Sequence, residues 1–489
     1  MAEILAAPRP MPVRRLRPDG ATLVLVGVLA FLASQAGRLL GDPDTQWHVA
    51  VGARIVAEGA LPWVDRFSHT FAGAAWIAKE WLSQVLLYGA FAAAGWPGVA
   101  LLTALVVAGT FALMYRWLCG DLAPTSALVA VLLAAVLTAP HLLARPHVLS
   151  FPVILLTTCA LVGAAERRAG PPWWVLGLFA LWANLHAGFT IGFAVAGLIG
   201  LEAVAAAPAG RRAGLALRWG MFLAAMPLAA CATPYGPRAM LITITLFGSG
   251  EPLPYIQEWQ PLDLDTVGIL AGAAMLALLL VLAREGWRNL PRIVLLLLLG
   301  AMTLRHGRFL DLFALIAPIL AAAPLARWLP PRAAAPVPAP HPVGWAVAAL
   351  LLALPVGLTL TRPLEPDPAV APRAALDAAR RGGLTAGPVY NSFDFGGFLI
   401  GAGVPTFVDG RADQIFLGGF TRSLNEAIAA EADGPFLDIL SRHGVTWALV
   451  QAGSPEARHL ARAGWTRIHA DAVAAVFGRP GAAALSPAG

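Results

Sequence analysis

Residues Gly41–Trp81 read GDPDTQWHVAVGARIVAEGALPWVDRFSHTFAGAAWIAKEW. This is the first long polar break in an apolar chain, directly after its first hydrophobic run. It opens on two carboxylates, Asp42 and Asp44, separated by Pro43, and then carries Trp47, His48, Arg54, Glu58, Asp65, Arg66, His69, Lys79 and Glu80 among aromatic and aliphatic residues. Acids, bases and aromatics gathered at a membrane surface are what a site for a charged, lipid-linked substrate needs. The rest of the chain reads as the scaffold for this loop.

Of 489 residues, 58% are hydrophobic and 13% charged, and the mean hydropathy is +0.70. A soluble domain carries roughly 25% charged residues, so the composition is that of an α-helical polytopic membrane protein. The isoelectric point near 9.8 comes from arginine, since Lys79 is the one lysine. The basic residues are scattered between apolar runs and not interleaved with aromatics, which argues for membrane topology and against nucleic-acid binding. Cys119, Cys159 and Cys231 lie in or beside apolar runs and suggest neither a disulfide framework nor a zinc site.

Apolar segments of span length recur at about 21–40, 98–118, 123–140, 148–165, 171–186, 188–206, 214–233, 267–284, 290–304, 309–328 and 343–360, about eleven in all. Residues 1–20 are expected in the cytoplasm, with Arg14, Arg15 and Arg17 before an uncleaved first helix. Segment 81–95 is apolar but short, and Gly95-Trp96-Pro97-Gly98 breaks it from the next span. If 81–95 is a half-helix that does not cross, arginines from Arg116 to Arg332 fall mostly on the cytoplasmic side, as short basic loops should. The outer face then holds the first outer loop 41–97, the stretch HLLARPH (141–147), the Asn184-Leu185-His186 corner, the loop 234–266, RHGR (305–308), and everything after 361. A Pro-rich linker runs from Leu329 to Pro342. Residues 361–489 read as a small extracytoplasmic α/β domain of about 120 residues. Two strands around a Gly-rich turn are expected in 388–416, helices at 425–432, 434–443 and 455–463, and further strands in VTWALVQ (445–451) and AVAAVFG (472–478).

Two carboxylates two residues apart can share a divalent cation, Mg2+ or Mn2+, or split their pKa values so that one serves as a base. The plainer reading of Asp42 and Asp44 is an acidic cap on a helix starting near Thr45. An Asp pair just after the first span, an amphipathic segment ending Glu58-Gly59 with Pro62 behind, a polar turn before Glu80-Trp81-Leu82, a shallow helix, Gly95 and a second span ending in Arg116 together resemble the polytopic C-type (GT-C) glycosyltransferases. The similarity covers about residues 20–240 and is greatest to the mannosyl- and aminoarabinose-transferase group that uses polyprenyl-phosphate sugars. The resemblance implies a GT-C-like transmembrane domain over 21–360. It implies a catalytic base or metal contact at Asp44 or Asp42. The chain departs from the group at Glu80-Trp81-Leu82, where a Lys-Pro-Pro run is more usual. Asn391–Gly397 (NSFDFGG) also resembles, loosely, the aromatic-Asp-aromatic-Gly segment of oligosaccharyltransferase outer domains, which implies an acceptor contact at Asp394.

Sugar transfer from a lipid phosphate needs a base for the acceptor and cations for the departing phosphate. Glu80 is expected to assist the Asp pair. Arg145, Arg305 and Arg308, on the outer face against the positive-inside trend, are expected to bind phosphate because a guanidinium fork matches its oxygens. His48, His147 and Glu258 are further substrate-binding candidates, while lone histidines near span ends, His141 and His186 included, are more often hydrogen-bonded interface residues. The function expected is an integral-membrane glycosyltransferase of the bacterial inner membrane. It would use a polyprenyl-phosphate sugar donor among membrane lipid, and a glycan, lipid or protein acceptor. A transporter or flippase for a lipid-linked or anionic substrate, and a non-catalytic scaffold, are the alternatives.

Overall fold

The computed structural model describes residues 20–249, 259–286, 289–330 and 342–480. Residues 1–19, expected in the cytoplasm, Glu258 and most of the Pro-rich linker lie outside the described residues.

The apolar runs are helices, as they must be where lipid leaves no water to satisfy a backbone. They include Gly20–Ser34, Pro124–Thr138, Phe151–Glu166, Val175–Leu185, Ile191–Ala206, Ala209–Ala230, Thr266–Arg284, Leu290–Arg305, Leu310–Leu325 and Pro342–Thr361. Among the described residues, seven helical stretches are long and apolar enough to cross a membrane on their own. Each helix buries small and branched residues inward, such as Ala104, Val107 and Phe111, and leaves leucines such as Leu228 and Leu276 exposed. Exposed leucine on helices of this kind is the surface that acyl chains cover. At the end opposite the first outer loop, Arg292 lies buried between Glu202, at 2.8 Å, and Glu166, at 3.2 Å. Four helices are thus pinned there by one guanidinium, which also donates to the Leu320 carbonyl.

Trp81–Leu118 is one 38-residue element with a break inside it, at Ala94 (φ −149°) and Gly95 (φ 62°, ψ −152°). Only glycine adopts the second conformation at low cost. The part before the break is about 20 Å long at 1.5 Å per residue, short of a hydrocarbon core of about 30 Å. The amphipathic helix Thr45–Glu58 packs against it. Gly52 makes this crossing possible, because a Cβ there would stand 2.1 Å from the Gln84 carbonyl oxygen. Pro237–Ser249 is also helical, where the sequence reading has only an outer loop. Its hydrophobic residues are interrupted by Thr243 and Thr245, which hid it.

After the last transmembrane helix the chain folds into a four-stranded sheet of order β1-β2-β4-β3, with β1 Val389–Asn391, β2 Trp447–Gln451, β3 Thr466–Ala470 and β4 Ala474–Gly478. β1 and β2 are parallel, and the other pairs antiparallel. Helices Arg373–Arg381, Phe420–Ala429, Gly434–Arg442 and Pro455–Arg462 cover it. Of the two strands expected in 388–416 only the first forms; after the Gly-rich stretch there is a single bridge, Thr406 to Ser68. Gly396–Gly401 is a short helix. The reason is contact: a Cβ on Gly397 would stand 2.0 Å from the Pro43 carbonyl oxygen, and one on Gly396 2.6 Å from Asp409 and Val408. The glycines serve close approach, Gly397 to the first outer loop and Gly396 to Val408 and Asp409 of its own domain, not a hairpin turn.

That approach makes the first outer loop and the C-terminal domain one body. Trp47, Val51, Ile55, Trp76 and Ile77 share a single buried cluster with Tyr390, Phe407 and Phe416. Arg411 is 1% exposed and donates to Asp65 at 2.5 Å and to both oxygens of Asp409 at 2.7 Å. Its guanidinium lies 5.1 Å from the centroids of both Phe67 and Trp76. Backbone pairing at Ser68 and Thr406 and a two-way hydrogen bond between Ile77 and Gln414 complete the joint.

Candidate active site

The Asp44 backbone N–H donates to Asp42 Oδ1 at 2.6 Å, the local turn that Asp-Pro sequences favour. Asp44 precedes the helix Thr45–Glu58, yet its side chain caps no N–H. The plain capping role therefore does not account for it. Its Oδ2 instead accepts from Arg145 Nη2, while Arg145 Nε stands 3.3 Å from Asp42 Oδ2. One guanidinium thus spans both carboxylates. Arg145 is held there by its backbone, which is extended before Pro146 (φ −126°, ψ 158°), as a residue preceding proline must be. The neighbouring Ala144 is tied to the same loop: its N–H donates to the Leu39 carbonyl at 2.8 Å, and its carbonyl accepts from Thr45 Oγ1 at 3.1 Å.

Asp42 and Asp44 are buried, at 1% and 8% exposure. Burial pushes the Asp42 carboxyl up to about 6, with Arg145 pulling it down and Asp44 adding to the rise. Arg145 itself is driven further toward its charged form. Burial opposes this, but the charges of Asp42, Asp44 and Glu80 outweigh it. Asp42 Oδ2, Gln46 Nε2, Trp47 Nε1 and Gln84 Oε1 are four of the six buried side-chain atoms without a hydrogen-bond partner among the described residues. Buried orphan atoms are rare in native proteins, and three of these six belong to residues 42–47.

A ring of polar residues surrounds the pair. Glu80 lies 3.5 Å from His186 Nε2. Burial raises its carboxyl, and Lys79, Asp413, Arg145 and Arg308 are its charged neighbours. Lys79 pairs with Asp413 of the C-terminal domain. His48, beside Trp47 and 3.4 Å from Gln84 Nε2, is held neutral by burial and by Arg145 and His147. His141 and His147 face opposite oxygens of Asp311, at 3.3 and 3.5 Å. Arg308 lies 4.5 Å above the Trp259 ring. From the C-terminal domain, Asp394 accepts from Gln451 Nε2 at 2.9 Å. Burial raises its carboxyl, and Asp44 and Glu456 push the same way. Gly410 closes over Asp44, since a Cβ there would stand 1.9 Å from Asp44 Oδ1.

Of the residues singled out in the sequence, Asp42, Asp44, His48, Glu80, Arg145, His147, Arg308 and Asp394 therefore converge. Arg305 is exposed at the end of Leu290–Arg305, while Arg308, three residues on, turns inward. Asn184 ties segments together, accepting from Trp81 Nε1 at 2.7 Å and donating to the Ala232 carbonyl at 2.9 Å. Asp311, Asp413 and Gly410 were not foreseen. Asp311 did carry a signal: it is an acid inside an apolar span, and such residues are candidates by default. No group of three or more His, Cys, Asp or Glu side chains converges as a metal site among the described residues. Arg145 lies against Asp42 Oδ2 and Asp44 Oδ2 and the Asp44 N–H against Asp42 Oδ1, so three of the four carboxylate oxygens already face a cation or donor, unlike the open oxygen shell that a divalent ion takes.

The chain is similar in structure to archaeal oligosaccharyltransferase AglB from Archaeoglobus fulgidus. In its complex with an inhibitory peptide and a dolichol-phosphate, the TM-score is 0.56 at 12% identity, covering 88% of this chain and 69% of that one. The apo form gives 0.55, with the same identity and coverage. The form tethered by a disulfide to an acceptor peptide with the NVT sequon gives 0.53, again at 12% identity over 88% and 69% of the two chains. The fold is GT-C. No protein-family model matches the sequence, and no curated protein does. The GT-C fold and its apolar helices make this a multi-pass membrane protein.

Proposed function

We propose that this protein is a membrane glycosyltransferase that moves a sugar from a polyprenyl-phosphate donor to an acceptor on the outer face of a bacterial inner membrane. One observation carries the reading: in a GT-C fold, two acids at the end of the first span are bridged by Arg145 and covered by a domain that brings Asp394 to them. The neighbour's complex with a dolichol-phosphate and a peptide supports a lipid-linked donor and a separate acceptor.

The acceptor's nucleophilic atom attacks the anomeric carbon. The carbon–oxygen bond to phosphate breaks, and its electron pair leaves on the phosphate oxygen. The acceptor's proton passes to a carboxylate of the pair and then to water. Asp44 is the more open of the two and faces Asp394, so it is assigned as the base, with Asp42 behind it. Arg308 and Arg145 supply positive charge toward the phosphate, and Asp394 contacts the acceptor. Glu80 assists by setting the charge around Arg308. A general base contributes about 10²–10⁴-fold.

The test uses full-length protein in membrane vesicles with the polyprenyl-phosphate sugar that copurifies. Asp44→Asn is expected to abolish transfer with thermal unfolding little changed. Transfer retained in both Asp44→Asn and Asp42→Asn would rule the mechanism out.

A further inference from the structure

An acid pair at a phosphate-handling centre usually calls for a cation, and here the chain supplies its own. Asp42 Oδ1 is taken by the Asp44 N–H. Asp42 Oδ2 lies 3.3 Å from Arg145 Nε, and Asp44 Oδ2 accepts from Arg145 Nη2. Asp44 Oδ1 lies against Gly410 with no room for a Cβ between them. A hard divalent ion needs about six oxygens in a regular shell, and among the described residues no group of three or more acids, histidines or cysteines is placed to hold one.

We propose that Arg145 is the resident cation of the Asp42–Asp44 pair, standing where a divalent metal would otherwise bind, so that this centre works without one. The claim deepens the glycosyl-transfer reading, but its physical content is independent of any transfer. A guanidinium has a fixed planar fork and stays charged at every working pH. It can bridge two carboxylates as a metal does, without exchanging with solvent. Its backbone is set by Pro146 and by the ties of Ala144 to the first outer loop, so the charge is built in when the fold forms.

The probe is Mn2+ alone, titrated into the full-length, detergent-solubilised protein and followed by the electron paramagnetic resonance of the free ion. Native protein and Asp44→Asn are compared first, since both keep the Arg145 guanidinium in the chain. The expected result is no Mn2+ binding that Asp44→Asn removes. Arg145→Gln, checked for folding by thermal unfolding, is expected to gain one Mn2+ at least about tenfold tighter than native protein, a gain of about 1.4 kcal/mol. That gain should be lost in Arg145→Gln/Asp44→Asn. Native binding that depends on Asp44 would overturn the proposal. A folded Arg145→Gln with no added affinity would overturn it too, because Arg145 would not then be standing in a cation's place. Transfer is no part of the readout, so a protein without transferase activity decides the question equally well.

Discussion

Two arginines in this molecule each sit between two aspartates, and they are not alike. Arg411 bridges Asp65 and Asp409 with every carboxylate contact made, at full burial and between two aromatic rings. Arg145 bridges Asp42 and Asp44 with its side chain 18% exposed, a neighbouring acid pushed up to about 6 and Asp42 Oδ2 without a hydrogen bond. A satisfied buried network fixes one structure. An unsatisfied one, kept at an opening, is where perturbed groups are held for use. The contrast separates the clamp that joins the two domains from the centre that the clamp encloses. Both use the same three-residue chemistry.

The strongest way to sharpen this contrast is to cut the clamp. Arg411→Ala leaves Asp65 and Asp409 buried and unpaired, which costs about 3–5 kcal/mol. Thermal unfolding of the solubilised protein is expected to fall steeply, far more than for Asp44→Asn.

The next effect is a pH dependence belonging to the other pair. Burial raises the Asp42 carboxyl from 3.8 to about 6, so between those values the folded chain keeps a proton that the unfolded chain releases. The contribution of this group to stability is therefore greatest below about pH 4 and is lost as pH rises through about 6, roughly 3 kcal/mol in all. Asp42→Asn is expected to remove that slope. A slope unchanged in the variant would assign it to other groups.

Gly410→Ala sets a methyl against Asp44 Oδ1. Overpacking of this kind costs about 1–3 kcal/mol, and transfer is expected to drop while the helices persist. Smallest is Lys79→Gln. It breaks a pair with Asp413 whose side chains keep 12% and 23% of their exposure, so the loss is set at about 1 kcal/mol, the upper end for pairs that water still reaches. Its stability change should be the least of the four and should shrink further in high salt.

The sequence by itself determined the membrane class and most of the apolar helices, because acyl chains impose one local rule on each apolar run. It also determined the short helix after Trp81 and its break at Gly95, since length and backbone freedom are written locally. The acid pair and Arg145 were visible as charged residues where apolar ones are cheaper. Only the tertiary structure decided that one arginine bridges both acids and that Gly396 and Gly397 serve contact rather than a turn. The same holds for Arg305, which faces out while Arg308 faces in, and for the meeting of Asp311, Asp413 and Gly410 at the same centre. Most of those facts depend on contacts between residues about a hundred or more positions apart. Such contacts are chosen by the packing of the whole chain, and no local pattern records them.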